Sequence, residues 1–192
     1  MEYKVFYRKY RPDSFKSIIG QDYSKNMLQN AVKNNKISHA YIFTGPRGTG
    51  KTSTAKVFAK AINCENPVNG EACGTCNSCL NFATSSDIIE IDAASNNGVD
   101  EIRELINNVK IAPTNSKYKI YIIDEVHMMT QSAFNALLLT LEEPPAHVVF
   151  IMATTNIESV PITILSRCQR FDFKKFCIED LEKQINYVCD QE

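Results

Sequence analysis

No stretch of the 192 residues stays apolar for the length of a bilayer, so the sequence holds no candidate membrane-spanning helix. Behind Met1-Glu2-Tyr3-Lys4 there is no apolar core, so no secretory signal is expected. These two absences point to a cytoplasmic chain without a membrane partner. Charge of either sign is not in excess either. Lys and Arg number 21 against 22 Asp and Glu, a formal net charge of −1. That excludes a broad basic surface gripping nucleic acid by electrostatics alone, but not a local one. Internal repeats and low-complexity tracts are missing. Seven cysteines is an odd number, and without a secretory signal it argues against a disulfide framework. What remains is an ordinary globular composition, long enough for one sizeable domain and the edge of another.

The chain is organised around Gly45-Pro46-Arg47-Gly48-Thr49-Gly50-Lys51-Thr52, followed by Ser53. It fits the phosphate-binding pattern G-x-x-x-x-G-K-[ST]. Ala40-Tyr41-Ile42-Phe43 reads as a strand feeding the loop, and Thr52 to Ala61 as the helix leaving it. Glycines let the backbone fold tightly enough for several N–H groups to face one phosphate, and the helix adds its positive end. Lys51 is expected to reach the β- and γ-phosphates of ATP, and the Thr52 hydroxyl to ligate Mg²⁺. A Gly-rich turn before an ordinary helix is the plainer alternative, but it does not require every fixed position of the pattern.

Residues 3–20 look irregular, with Tyr3, Tyr7 and Tyr10 among Arg8, Lys9 and Arg11 ahead of Pro12. Composition alone favours a solvated arm; a nucleotide edge contact is the sharper alternative. Asp22 to Asn34 has a helical apolar face. Ile88 to Ile91, Tyr118 to Ile123, Val148 to Met152 and Phe171 to Phe173 read as strands. Helices are expected around Ile102 and Ile106, around Phe134 and Leu137, and from Ile178 to Val188. Strands alternating with helices predict an α/β fold with a parallel five-stranded sheet in three layers.

Asp124-Glu125 ends an apolar run, and a carboxylate at the end of a parallel strand faces the ligand crevice. Asp124 is expected to hold Mg²⁺ and Glu125 to orient or deprotonate the attacking water. Cys64, Cys73, Cys76 and Cys79 follow C-x8-C-x2-C-x2-C, a spacing that can close a tetrahedral Zn²⁺ site. Such a closed site would be structural, not catalytic. A redox pair, an iron–sulfur cluster or buried free thiols are its rivals, though the stretch lacks apolar partners to bury four thiols.

Taken together, Tyr10-Arg11-Pro12, Ile19-Gly20-Gln21, Asp124-Glu125-Val126-His127, Leu141-Glu142-Glu143-Pro144 and Ser166-Arg167-Cys168 resemble the AAA+ clamp-loader ATPases. With the cysteine insertion, the chain is similar to the bacterial gamma/tau kind of DNA polymerase III subunit. The resemblance implies a P-loop NTPase domain over 1–175, a zinc-binding module at 64–79 within it, and the start of a helical lid at 176–192. The chain then looks like the N-terminal part of a longer protein. The resemblance further implies that Tyr7, Arg8, Tyr10, Arg11, Pro12, Ile18 and Ile19 lie near adenine. It puts Thr155 at the position that senses the γ-phosphate, and makes Arg167 a finger offered in trans to a neighbouring subunit's ATP. Arg103 becomes a candidate DNA-backbone contact. The implied partners are other clamp-loader subunits, the sliding clamp, and primed DNA through the assembled complex. The alternatives are a non-hydrolysing scaffold subunit of such a complex and a hexameric AAA+ DNA motor. Glu142 and Glu143 at a helix end, where negative charge opposes the dipole, have no account from sequence.

Overall fold

The computed structural model describes residues 5–95 and 99–192; Tyr3 and the side chain of Arg103 lie outside the described residues. Five strands, β1 (Ala40–Thr44), β2 (Ile88–Asp92), β3 (Lys119–Asp124), β4 (Val148–Thr154) and β5 (Gln169–Asp172), form one sheet in the order β2-β3-β4-β1-β5. Every pairing is parallel. The inner strands read as unbroken apolar runs because both faces are covered. Along β1 the side chains alternate between two cores. Tyr41 and Phe43 join Leu28 and Phe58 on one face, while Ala40 and Ile42 join Ile102, Phe134 and Leu137 on the other.

The first core is closed by α2 (Asp22–Lys33) and α3 (Lys51–Ile62), the second by α5 (Val99–Val109) and α6 (Gln131–Glu142). Tyr41 meets Phe58 edge-on with ring centroids 4.9 Å apart, and Tyr121 stacks on Phe150 at 5.4 Å. Helix α3 ends where Asn63 ties it to the lead-in of β3: its Nδ2 donates to Tyr118 O at 2.8 Å, and Tyr118 N donates back to its Oδ1 at 2.9 Å. Helix α6 starts at Thr130, whose hydroxyl accepts from Ala133 N, and stops before Pro144-Pro145.

Three differences from the sequence reading have local causes. The arm expected to be irregular contains one helical turn, α1 (Phe6–Lys9). Strand β5 begins at Gln169, not at Phe171, because an edge strand tolerates exposed polar residues that hide its periodicity. Strand β4 runs on to Thr154, its end pairing with Thr44. The short α4 (Asn77–Leu80) and α7 (Ile162–Leu165) fill connections. The last helix, α8 (Ile178–Gln191), buries none of its residues; Ile178 and Ile185 are exposed. Among the described residues, no helix is long and apolar enough to cross a membrane.

Candidate nucleotide and metal sites

The loop after β1 is shaped by glycine and closed by its own hydrogen bonds. Gly45 has φ +148°, its N–H donates to Thr154 O at 3.2 Å, and the backbone of Phe173 crosses close over its Cα. Thr49 is buried, with its hydroxyl on Pro46 O at 2.9 Å. Gly50 caps α3 in the left-handed region, so the first turn of that helix opens into the loop. Lys51 is 6% exposed and donates to Gly45 O at 2.8 Å and Pro46 O at 2.9 Å. Burial lowers its pKa below the ordinary lysine value, against the pull of the Glu125 and Asp124 carboxylates.

The loop faces a cavity of about 860 Å³ at the carboxyl ends of the strands, lined among others by Arg47, Gly48, Lys51, Thr52, Asp124 and Thr155. Strand β3 delivers Asp124, and Thr52 Oγ1 donates to its Oδ2 at 2.6 Å. The chain then turns sharply: Glu125 is left-handed, with φ +47°, and its N–H donates to Asp124 Oδ1 at 2.9 Å. Glu125 Oε2 accepts from Thr155 Oγ1 at 2.9 Å and Thr155 N at 3.3 Å, and His127 Nδ1 lies 3.3 Å from it. The same His127 nitrogen is 3.1 Å from Thr154 Oγ1. Thus Lys51, Thr52, Asp124, Glu125 and Thr155, far apart in sequence, are brought to one cavity. Thr52 and Asp124 supply hard oxygen donors side by side, a set that suits Mg²⁺.

Sequence reasoning assigned no site role to four residues of this cavity, Asp92, Ala94, His127 and Met128. Two of them carried a signal. Asp92 ends β2 in register with Asp124, and His127 falls one short turn beyond Glu125.

The adenine group expected from the family divides. Arg11 lines the cavity, while Tyr7, Arg8, Tyr10, Pro12, Ile18 and Ile19 do not. Tyr10 turns to α8, donating to Glu192 Oε1 at 2.5 Å with its ring edge-on to Tyr187. Tyr7 is largely exposed beside Arg8. Ile18 is buried in the core with Phe15. Arg167 also stays off this cavity. It donates to Thr163 O at 2.6 Å and pairs with Glu142 Oε1 at 2.8 Å. That pair supplies the account that sequence lacked for an acidic residue at the end of α6.

The second site is the cysteine cluster. The sulfurs of Cys64, Cys73, Cys76 and Cys79 lie within 4.8 Å of one another, with Cys64 and Cys76 4.0 Å apart. A tetrahedral zinc–thiolate site has sulfurs about 3.8 Å apart, so these residues fit a metal ion with little movement. Cys64 Sγ accepts from Cys73 N at 3.2 Å, and Cys73 Sγ from Cys76 N at 3.3 Å. The N–H groups of Thr75 and Cys76 pull the Cys73 thiol down to about 6. Burial pushes Cys79 up to about 12, and Cys64 in the same direction. As metal ligands these thiols would bind as thiolates, so metal binding would release their protons.

An all-parallel sheet in this order, with a Gly-Lys-Thr loop after β1 and an acidic pair after β3, defines a P-loop NTPase of the AAA+ type. Solved structures share the fold. A DNA polymerase III gamma subunit-related protein from Thermotoga maritima superposes with TM-score 0.58 at 23% identity, covering 79% of this chain and 47% of that one. The RuvB Holliday junction branch migration motor of the same organism gives 0.65 at 16% identity, covering 95% and 54%. At those identities the likeness concerns the fold alone.

Sequence relatives narrow the class. Residues 20–177 match the family described as DNA polymerase III, delta subunit. The chain is 54% identical over 194 residues to DNA polymerase III subunit tau of Bacillus subtilis, covering 100% of this chain and 34% of that protein. It is 44% identical over 194 residues to DNA polymerase III subunit tau of Escherichia coli, covering 100% and 30%. The chain belongs to this DNA polymerase III subunit family and spans about a third of the length of these tau relatives.

Proposed function

We propose that the chain is the ATP-binding and ATP-hydrolysing region of a clamp-loader subunit, working in the cytoplasm to place a sliding clamp on primed DNA during replication. The observation that carries this reading is the convergence of Lys51, Thr52, Asp124, Glu125 and Thr155 on one cavity, in a chain whose relatives are DNA polymerase III subunits.

On this reading residues 1–175 form the nucleotide-binding domain and 176–192 begin a lid. The N–H groups of Gly48, Thr49 and Gly50 and the Lys51 ammonium hold the β- and γ-phosphates of ATP; Gly45, Pro46, Arg47 and Ser53 complete the loop. Thr52 and Asp124 hold Mg²⁺, which when bound neutralises charge growing on the phosphates. Glu125 takes the proton of the attacking water, and Thr155, through its bonds to Glu125, fixes where that carboxylate points. Arg11 reaches the base or sugar side of the cavity. Arg167, held at its own surface by Glu142, acts on the ATP of a neighbouring subunit. Cys64, Cys73, Cys76 and Cys79 hold a structural Zn²⁺.

The fold likeness to a branch-migration motor does not favour that function, since the relatives at 54% and 44% identity are polymerase III subunits. A non-hydrolysing scaffold is disfavoured by the presence of Glu125 on the cavity wall. Titration calorimetry and steady-state turnover on the reconstituted complex test the proposal together. Lys51→Ala should weaken ATP binding at least about tenfold, the equivalent of one charge-assisted contact. Glu125→Gln should bind ATP as wild type and not turn it over. Wild-type affinity in Lys51→Ala, or wild-type turnover in Glu125→Gln, would overturn the assignment.

A further inference from the structure

The cysteine insertion reaches the loop ahead of α2 through one acidic residue, Glu71. Val68 and Glu71 exchange two backbone hydrogen bonds, each 3.0 Å, around Asn69 and Gly70. Both turn residues are left-handed, with φ +54° and +79°, the geometry of a two-residue type I′ hairpin turn. The turn lies flat on α2: a Cβ at Gly70 would stand 2.3 Å from Gln29 O. Cys64 and Cys73 bracket this hairpin, so a closed metal site fixes both of its ends.

From that turn Glu71 reaches the loop between α1 and α2. Its Oε2 accepts from Phe15 N at 3.0 Å and its Oε1 from Lys16 N at 3.1 Å, with Gln29 Nε2 at 3.4 Å. One carboxylate thus takes two successive backbone amides, a charge-assisted pair of bonds that sets the path of the loop. Phe15 is buried against Phe58 of α3, with ring centroids 6.5 Å apart, so the loop is pinned at that point. A few residues upstream, the same segment carries Arg11 to the wall of the nucleotide cavity.

We propose that the cysteine module controls nucleotide affinity, with Glu71 as the positioning residue that braces the segment bearing Arg11. The proposal rests on the reading of the cavity as an ATP site. Through this brace the module acts as a lever on the N-terminal wall of the site, and loss of its metal loosens that wall while the sheet and the phosphate loop stay folded.

The experiment is a double-mutant cycle on the full chain, with MgATP affinity measured by calorimetry and metal content by elemental analysis. Glu71→Ala should weaken MgATP binding about tenfold, the worth of one charged hydrogen bond, while keeping its metal. In an Arg11→Ala background the same change should have no further effect, because the group being positioned is gone. Chelation of wild type should reproduce the Glu71→Ala affinity with unchanged sheet signal in circular dichroism. If Glu71→Ala does not fold, Glu71→Gln, which keeps one acceptor oxygen, carries the same cycle with a smaller loss. Wild-type affinity in the Glu71 variant, or losses that multiply with Arg11→Ala, overturns the proposal. Lys51→Ala separates the two readings: if it too binds as wild type, the cavity is not an ATP site, whereas loss there with an inert Glu71 refutes only the brace.

Discussion

Replacing Gly45 with Ala tests how tightly the phosphate loop is built into the sheet. The new Cβ would stand 2.2 Å from Phe173 O and 3.0 Å from its carbonyl carbon. Neither atom yields cheaply. Phe173 N donates to Thr44 O at 2.7 Å, and its ring packs on Phe43 with centroids 5.1 Å apart, so the segment is bound to β1 on both sides of the clash. Two costs combine. A non-glycine residue at φ +148° carries strain of about 1–3 kcal/mol. Forcing a methyl group into packed backbone costs a further ~1–3 kcal/mol. Gly45→Ala should therefore lose about 2–6 kcal/mol, a large part of the roughly 5–15 kcal/mol that holds a domain together. Gly48→Ala is the control. Its φ is +80°, but nothing lies within 4 Å of the added atom. It should cost only the left-handed penalty of about 1–2 kcal/mol. Urea unfolding measures both, with the slope unchanged if the unfolded states are alike. Equal losses in the two variants, or a loss at Gly45 under about 1 kcal/mol, would show that the loop is not clasped in this way.

Other outcomes follow from the same contacts. Asp87 is 2% exposed and accepts from Thr114 N at 2.8 Å and Asn115 N at 2.9 Å. Burial pushes its pKa up, but the N–H groups of Asn115 and Thr114 outweigh it, leaving the carboxyl below its ordinary value. Its contribution is then complete above the unfolded carboxylate value near pH 4 and fades as pH falls through the lower folded value. Asp87→Asn should cost about 2 kcal/mol at neutral pH, and the gap to wild type should close in acid; a gap independent of pH refutes the assignment. Fresh, reduced protein should contain one zinc per chain and lose it in Cys73→Ser; elemental analysis finding almost none in wild type would remove the metal site. Dilute chain should hydrolyse ATP slowly and equally with or without Arg167→Ala. In the assembled complex the same change should slow turnover by about 10³–10⁵. A brisk rate in dilute protein that falls in Arg167→Ala would put the arginine in its own site.

What could be read beforehand follows physical range. The phosphate loop and Asp124-Glu125 were legible because their chemistry depends on local spacing beside apolar strands, which sequence displays directly. The central strands were legible for the same reason, each being an apolar run. Edge strand β5 was legible only in its second half, since Gln169 and Arg170 are exposed and break the pattern. Tyr10 illustrates a different limit. The family resemblance puts it near adenine, but its hydroxyl and ring are engaged by Glu192 and Tyr187, far along the sequence. Glu142 is the converse case. Its place at a helix C-terminus marked it as anomalous, and its partner Arg167 follows on a later segment that no local rule connects to it.

The polar groups of the cavity are already spoken for by the protein, and this bears on how the site must work. Lys51 holds two loop carbonyls, Thr52 holds Asp124, and Thr155 holds Glu125 through both its hydroxyl and its N–H. A phosphate that draws Lys51 away exchanges one set of hydrogen bonds for another, so each contact adds a modest net affinity. The carboxylate of Glu125 presents a sharper case. Two donors from Thr155 and the nearby His127 ring gather on Oε2. On the proposed reading these contacts aim the carboxylate at the attacking water. The Thr155 hydroxyl also stands on the cavity wall, where a γ-phosphate would compete for it. If the hydroxyl turns to that phosphate, the Thr155 N–H still holds Oε2, so the carboxylate keeps its place while the neighbouring hydroxyl meets the nucleotide.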